Sequence, residues 1–229
     1  VNSINWGRIA CQVTYYFVAA VALGAPHRAV SFTVPTGNFG DIYAGYVAGR
    51  MGLPVERLVI ATNVNDILAR TLASGSYEVR GVAATTSPSM DIQVSSNFER
   101  LLFEEGERDA GAVRGMMAGL AQSGAFAVPP ATLARIRRDF EAATANEAEV
   151  AQTIRATLSG AGYLMDPHTA VAAFAASRAG RDPAVPMVVL STAHPAKFPE
   201  AVAAIAGVRP ALPPRLSALM TDPERMTAL

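Results

Sequence analysis

Three short apolar runs, Ala29 to Val34 (AVSFTV), Arg57 to Ala61 (RLVIA) and Val185 to Leu190 (VPMVVL), alternate with longer segments of helical character. This alternation constrains the fold most. Such runs suit strands buried on both faces, and strands that alternate with helices build a parallel sheet covered by helices. The expected fold class is therefore α/β: a parallel sheet with flanking helices. The element order reads as a largely buried helix from Asn5 to Leu23, the strand at Ala29, a helix over Ile42 to Met51 and the strand at Arg57. A helix from Asp66 to Ala73, a short strand within Glu78 to Ala83 and a helix from Asn97 to Phe103, capped by Ser95 or Ser96, come next. Asp166-Pro167 opens a helix to about Ala179 ahead of the last strand.

With 229 residues the chain can bury a sizeable core as one domain or slightly more. Its 19 basic residues balance 19 acidic ones, which argues against a nucleic-acid partner. The longest apolar-rich stretch, Val13 to Ala25, is shorter than the roughly 20 residues of a membrane-spanning helix, so no membrane partner is expected. Cys11 is the one cysteine, and a reducing, cytoplasmic setting is the simplest assignment. The start at Val1, with no initiator Met and no signal peptide, suggests part of a longer protein. Eighteen of the basic residues are arginines, leaving Lys197 as the sole side-chain amine.

Between Glu104 and Gly162 the composition shifts to Arg, Glu and Ala, with Leu133, Ile136 and Phe140 at helical spacing in a run from Thr132 to Thr144. The expected organisation is an α/β domain over residues 1–103 and 163–209, a helical insertion over 104–162 and a peripheral tail over 210–229.

In a parallel α/β sheet ligands bind beyond the carboxyl ends of the strands, which directs attention to the segments after Val34 and Leu190. After Val34 comes Pro35-Thr36-Gly37-Asn38-Phe39-Gly40-Asp41, a tight glycine-containing turn into a helix. Backbone N–H groups at a helix N-terminus attract phosphate or carboxylate, and the alternative is an ordinary turn with Asp41 as the cap. After Leu190 comes Ser191-Thr192-Ala193-His194-Pro195, where a hydroxyl could face a neutral ring nitrogen or simply cap a turn. His168 and His194 are candidate general bases by residue type. Asn2, Ser3, Asn5 and Arg8 gather amides, a hydroxyl and a guanidinium that could hold a second anion, or could cap a helix beside a solvated arginine. Thr85 to Asp91 (TTSPSMD) reads first as a loop that could line a pocket.

Taken in order, the blocks VNSINWGR, PTGNFGD, ATNVND, TTSPSMDIQVSSNFERLLFE, YLMDPHTAVA and STAHPAKFPEA resemble the threonine synthase family from residue 1 to about 205. That resemblance implies a fold-type-II, tryptophan-synthase-β-like pyridoxal-phosphate enzyme, here its C-terminal portion. It implies that Gly37, Asn38, Phe39, Gly40 and Asp41 hold the phosphate of pyridoxal 5'-phosphate and that Thr192 faces its pyridine nitrogen. Asn2, Ser3, Asn5, Arg8, Ser89 and His168 would lie on the substrate side. The implied reaction converts O-phospho-L-homoserine and water to L-threonine and phosphate. The family's aldimine-forming lysine lies upstream of these blocks, so no catalytic residue is assigned and Lys197 is not given that role. The missing N-terminal part of the same protein is then an expected partner, and the chain alone is expected to be inactive. Another fold-type-II lyase, such as a dehydratase, and a non-catalytic module for phosphate ligands are the alternatives.

Overall fold

The computed structural model describes residues 4–180, 182–224 and 226. After helix α1 (Trp6–Ala22), strand β1 (Val30–Pro35) leads into α2 (Gly40–Arg50), β2 (Val55–Thr62) and α3 (Ile67–Ser74). Strand β3 (Ser76–Glu78), α4 (Phe98–Glu105), α5 (Ala110–Ser123), β4 (Ala125–Ala127), α6 (Pro130–Asp139) and β5 (Phe140–Thr144) follow. Helices α7 (Glu147–Ala161) and α8 (Pro167–Arg178), strand β6 (Met187–Val189) and α9 (Pro199–Ala206) complete the order. Four strands form one parallel sheet in the order β5-β2-β1-β6; the parallel sheet is the one expected from the three apolar runs, which correspond to β1, β2 and β6.

Successive strand residues point to opposite faces, and both faces are apolar. Phe32, Val34, Leu58 and Ile60 pack with Tyr16 and Ile42 on one side. Val59 and Ala61 pack with Ile154, Val171, Ala172 and Ala175 on the other. Helices therefore cover both faces, and the continuous apolar runs follow from this double burial.

Several local expectations yield to packing. Helix α1 buries only Ile9, Val13, Tyr16 and Ala20, one stripe at spacings of three and four. Val18 is 70% exposed and Val21 61% exposed, so α1 is not the largely buried helix that its composition suggests. The helical run predicted from Thr132 to Thr144 ends at Asp139, and Phe140–Thr144 becomes β5 on the edge beside β2. The helical spacing of Phe140 is coincidental: its backbone satisfies its polar groups against β2 instead. Residues 104–162, expected as a helical insertion, thus also supply an edge strand of the main sheet. Of the strand expected over Glu78 to Ala83, only Glu78 is in a strand, as the last residue of β3, which pairs antiparallel to β4. Residues 79–83 run as a loop tied at Ala83, whose N–H donates to Asn65 Oδ1 at 2.9 Å. Neither Ser95 nor Ser96 caps α4. Asn97 precedes that helix, and the Ser95 hydroxyl donates to the Gly37 carbonyl at 2.7 Å. In the tail, Pro214–Met220 forms an exposed 3-10 turn.

The contact between α1 and α2 rests on Gly45. A Cβ at that position would lie 2.5 Å from Tyr16 Cε1 and 3.0 Å from Leu58 Cδ2, and the Tyr16 ring is fully buried. Overpacking of a rigid core site of this kind costs about 1–3 kcal/mol. Gly45→Ala is therefore expected to destabilise the chain by that amount in urea unfolding, and an unchanged midpoint would contradict the packing described.

Candidate active site at the carboxyl edge of the sheet

Strands β1 and β6 are neighbours, but β2 and β5 lie on the far side of β1, so the connections diverge where β1 meets β6. A crevice forms outside the carboxyl ends at such a switch point. A cavity of about 660 Å3 occupies it, bounded by residues 35–42 after β1 and residues 188–193 along and after β6. Both segments that the sequence singled out as strand-end loops line one cavity.

Phe39 creates the turn into α2. Its backbone is left-handed, at φ 68° and ψ 2°, and it stands as the residue before the helix without a side-chain cap. Asp41 is in the first turn and does not cap it. Asn38 takes the N-terminal role in part, accepting from the Gly40 N–H through Oδ1 at 2.8 Å. The remaining first-turn N–H groups have no intrahelical partner, which leaves donors for an anion. The loop is fastened from outside: Asn97 donates from its backbone N–H and from Nδ2 to the Asn38 carbonyl, both at 3.0 Å. Thr36 donates from its backbone to the Ala61 carbonyl at 2.8 Å. At Gly37 a Cβ would lie 2.8 Å from the Ser89 carbonyl oxygen and 3.3 Å from Met90 Cα, so only glycine fits beside the Thr85–Asp91 loop.

That loop is held by buried polar groups. Asp91 Oδ1 accepts from Asn63 Nδ2 at 2.7 Å, Asn65 Nδ2 at 3.0 Å and the Thr85 hydroxyl at 2.7 Å, and Oδ2 accepts from the Thr85 N–H at 2.8 Å. The ATNVND and TTSPSMD blocks thus form one network whose output is the placement of Ser89. Ser89 in turn donates its N–H to His168 Nε2 at 3.2 Å. On the other side of the imidazole, Nδ1 lies 2.9 Å from Asp166 Oδ1, and Asp166 is fully buried as the cap of α8. Asp166 Oδ2 also accepts from the Thr169 hydroxyl, which contacts Ser191 Oγ at 3.3 Å.

Among the expected site residues, Gly37 to Asp41, Thr192, Arg8, Ser89 and His168 line this cavity. Ser191 and Lys197 join them. Asn5 caps α1, accepting from the Gly7 N–H at 2.8 Å, and does not line the cavity. Asn2 and Ser3 lie outside the described residues. His194 caps the Pro195–Lys197 turn through Nδ1, 3.1 Å from the Ala196 N–H, and does not line the cavity. Sequence reasoning missed Tyr16 and Asp166. The Tyr16 hydroxyl donates to the Asp41 carbonyl at 2.8 Å and contacts Asp41 Oδ1 at 3.3 Å, tying α1 to the start of α2. No local signal marks Tyr16, whereas the Asp-Pro-His-Thr spacing of a capped helix could have marked Asp166.

Two carboxyls at the site titrate in opposite directions. Burial pushes the Asp41 carboxyl up to about 6, and the Tyr16 hydrogen bond only partly opposes this. Burial also acts to raise Asp166, but hydrogen bonds from His168 and Thr169 outweigh it and hold the carboxyl below its usual range. Among the described residues no cluster of His, Cys, Asp or Glu is placed to hold a metal ion, and no helix is long and apolar enough to cross a membrane.

A parallel sheet, a cavity at its switch point and a glycine turn opening a helix define an α/β fold with a crevice at its strand ends. Solved structures show that this fold is the one shared by fold-type-II pyridoxal-phosphate enzymes. An aspartate racemase of that cofactor class shares the fold alone, with a TM-score of 0.54 at 11% identity. Threonine synthase is the particular relative: this chain matches its C-terminal portion along its whole length. The Brucella melitensis enzyme, solved with pyridoxal phosphate bound, superposes with a TM-score of 0.96 at 63% identity, covering 100% of this chain and 49% of that one. The yeast enzyme superposes at 0.88 with 41% identity, covering 96% of this chain and 48% of its own. Threonine synthase of Pseudomonas aeruginosa is 49% identical, covering 100% of this chain and 49% of the relative. The family model "Threonine synthase, C-terminal" matches residues 169–229. The chain spans about half the length of the curated relatives it matches.

The two carboxyls set a pH dependence with a defined sign. Asp41, raised above the roughly 4 of an unfolded carboxyl, contributes stability that is present below pH 4 and lost as the pH rises through about 6. Asp166, lowered, contributes stability that is present above about pH 4 and lost as the pH falls through its folded-state range. Urea unfolding between pH 4 and 7 is expected to show wild type losing up to about 3 kcal/mol relative to Asp41→Asn as the pH rises. Parallel curves for the two proteins would contradict the assignment.

Proposed function

We propose that this chain forms the cofactor-holding part of a threonine synthase, which converts O-phospho-L-homoserine and water to L-threonine and phosphate with pyridoxal 5'-phosphate. The observation that carries this reading is the convergence of two strand-end segments, the Gly37–Asp41 turn and Ser191–Thr192, on one cavity.

The residues fit the cofactor. Gly37 gives close backbone approach, the first turn of α2 supplies N–H donors, and the fastening of Asn38 keeps the turn rigid without a ligand. When bound, pyridoxal phosphate supplies an electron sink for the carbon that bears the substrate's amine. The chain's residues do the holding. The turn would hold the phosphate, and the Ser191 and Thr192 hydroxyls, which line the same cavity, would serve the pyridine nitrogen. A hydroxyl leaves that nitrogen neutral more readily than a carboxylate would, which tempers the sink and suits elimination and replacement at the β and γ carbons.

Arg8 and Lys197 are exposed at the cavity, and neither takes part in a salt bridge among the described residues. They are cations available for the two anionic groups of a phosphorylated amino acid. As the resemblance implies, the amine that would link to the cofactor belongs to a segment preceding these blocks, which would act with this chain as its partner. The unpaired thiol of Cys11 suits a cytoplasmic setting.

The test is a titration of the 229-residue chain with pyridoxal phosphate, followed by 31P NMR and equilibrium dialysis. Saturable binding is expected, weakened at least about tenfold by Gly37→Ala, the loss of about one well-placed hydrogen-bonding contact or more. Borohydride treatment is expected to leave Lys197 unmodified. An absence of binding would overturn the cofactor reading, and a stoichiometric Lys197 adduct would overturn the role given to that residue.

A further inference from the structure

His168 stands between two parts of the site and is satisfied from both sides. Asp166 is fully buried, and its carboxyl is held ionised by the groups around it, so it can only accept: the imidazole Nδ1 must carry the proton of their 2.9 Å contact. The opposite nitrogen, Nε2, lies 3.2 Å from the Ser89 N–H, a donor that cannot turn away, so Nε2 must be bare. These two contacts fix a neutral imidazole with one defined tautomer. The Phe198 ring packs on it at 4.7 Å, which holds the plane of the ring.

What the imidazole holds is the residue that confines the phosphate turn. Ser89 presents its carbonyl oxygen 2.8 Å from where a Gly37 side chain would begin, while its N–H is bound to His168. One peptide neighbourhood is thus fixed by His168 on one side and abuts the anion turn on the other. Both residues line the cavity, yet neither ring nitrogen of His168 is left to take a proton from a substrate.

We infer that His168 is a positioning residue: a neutral imidazole, oriented by Asp166, that clamps Ser89 against the Gly37 turn and so sets the shape of the phosphate-binding wall. This rests on the cofactor reading proposed above only in naming what the wall binds; the clamp itself is a property of the chain. It replaces the general-base role that the residue type suggests.

The test begins with 15N NMR of the histidine rings in the 229-residue chain. With three histidines in the chain, His168 can be assigned against the exposed His27 and His194. A protonated Nδ1 with a bare Nε2 at neutral pH is expected, together with a Ser89 amide protected from hydrogen exchange. A protonated Nε2, or a freely exchanging Ser89 amide, overturns the clamp.

Two substitutions then separate positioning from packing. In His168→Gln the side-chain carbonyl reaches the Nε2 position and can accept from Ser89; in His168→Asn the shorter amide reaches Asp166 alone. Pyridoxal phosphate affinity is expected to fall about tenfold in His168→Asn, one hydrogen bond's worth, and to stay within about threefold of wild type in His168→Gln. Equal losses in both, or no loss in either, overturn the proposal. Should wild type not bind pyridoxal phosphate, the cofactor reading fails, while the tautomer and the Ser89 exchange rate still decide the clamp. Should His168→Asn not fold, those wild-type measurements decide it as well.

Discussion

Phe39 is held at φ 68° while its ring sits in the core 5.3 Å from Phe98 and 5.7 Å from Phe140, and the direction in which the chain leaves β1 follows from that combination. A left-handed backbone at a non-glycine residue costs about 1–3 kcal/mol, and full burial of a phenylalanine returns about as much, with aromatic pairing in addition. The strained turn is therefore stable without a ligand. Because the turn is made, α2 begins at Gly40 with its open N–H groups at the cavity. Because Phe98 and Phe140 sit beneath it, α4 and β5 are parts of the foundation of the Gly37–Asp41 turn.

The same logic explains the polar residues. A backbone that bends sharply exposes its carbonyls, and Asn97 and Ser95 satisfy those of Asn38 and Gly37. Asp91 gathers Asn63, Asn65 and Thr85 in one place, which fixes the loop that presses on Gly37. Asp166, through His168, fixes that loop from the other side. The cavity is a preformed shape whose walls are braced by these hydrogen bonds, as precise placement of a bound group requires.

Legibility in the sequence followed the physics of each element. Strands β1, β2 and β6 could be read because burial on both faces demands apolar runs, and the turn from β1 into α2 could be read because glycines with a following helix are a local pattern. Strand β5 could not, since Phe140-Glu141-Ala142-Ala143-Thr144 carries no apolar run and its identity comes from pairing with β2. The exposure of Val18 and Val21 on α1 was equally invisible, because composition does not say which face finds a partner. At the site, residue types pointed to His168 and Asn5 as chemical groups, and only their hydrogen-bond partners show that one clamps a loop and the other caps a helix. Tyr16 was missed because its link to Asp41 spans 25 residues of sequence.

The central claim is that the turn from Gly37 to Asp41 receives the phosphate of a ring-bearing cofactor whose far end meets Ser191 and Thr192. A crystal structure of the chain grown with pyridoxal phosphate tests it most directly. The phosphorus is expected within hydrogen-bonding range of the N–H groups of the turn, with the pyridine nitrogen toward the Ser191–Thr192 hydroxyls. A phosphate seated instead between Arg8 and Lys197, with the Gly37–Asp41 turn empty, would contradict it.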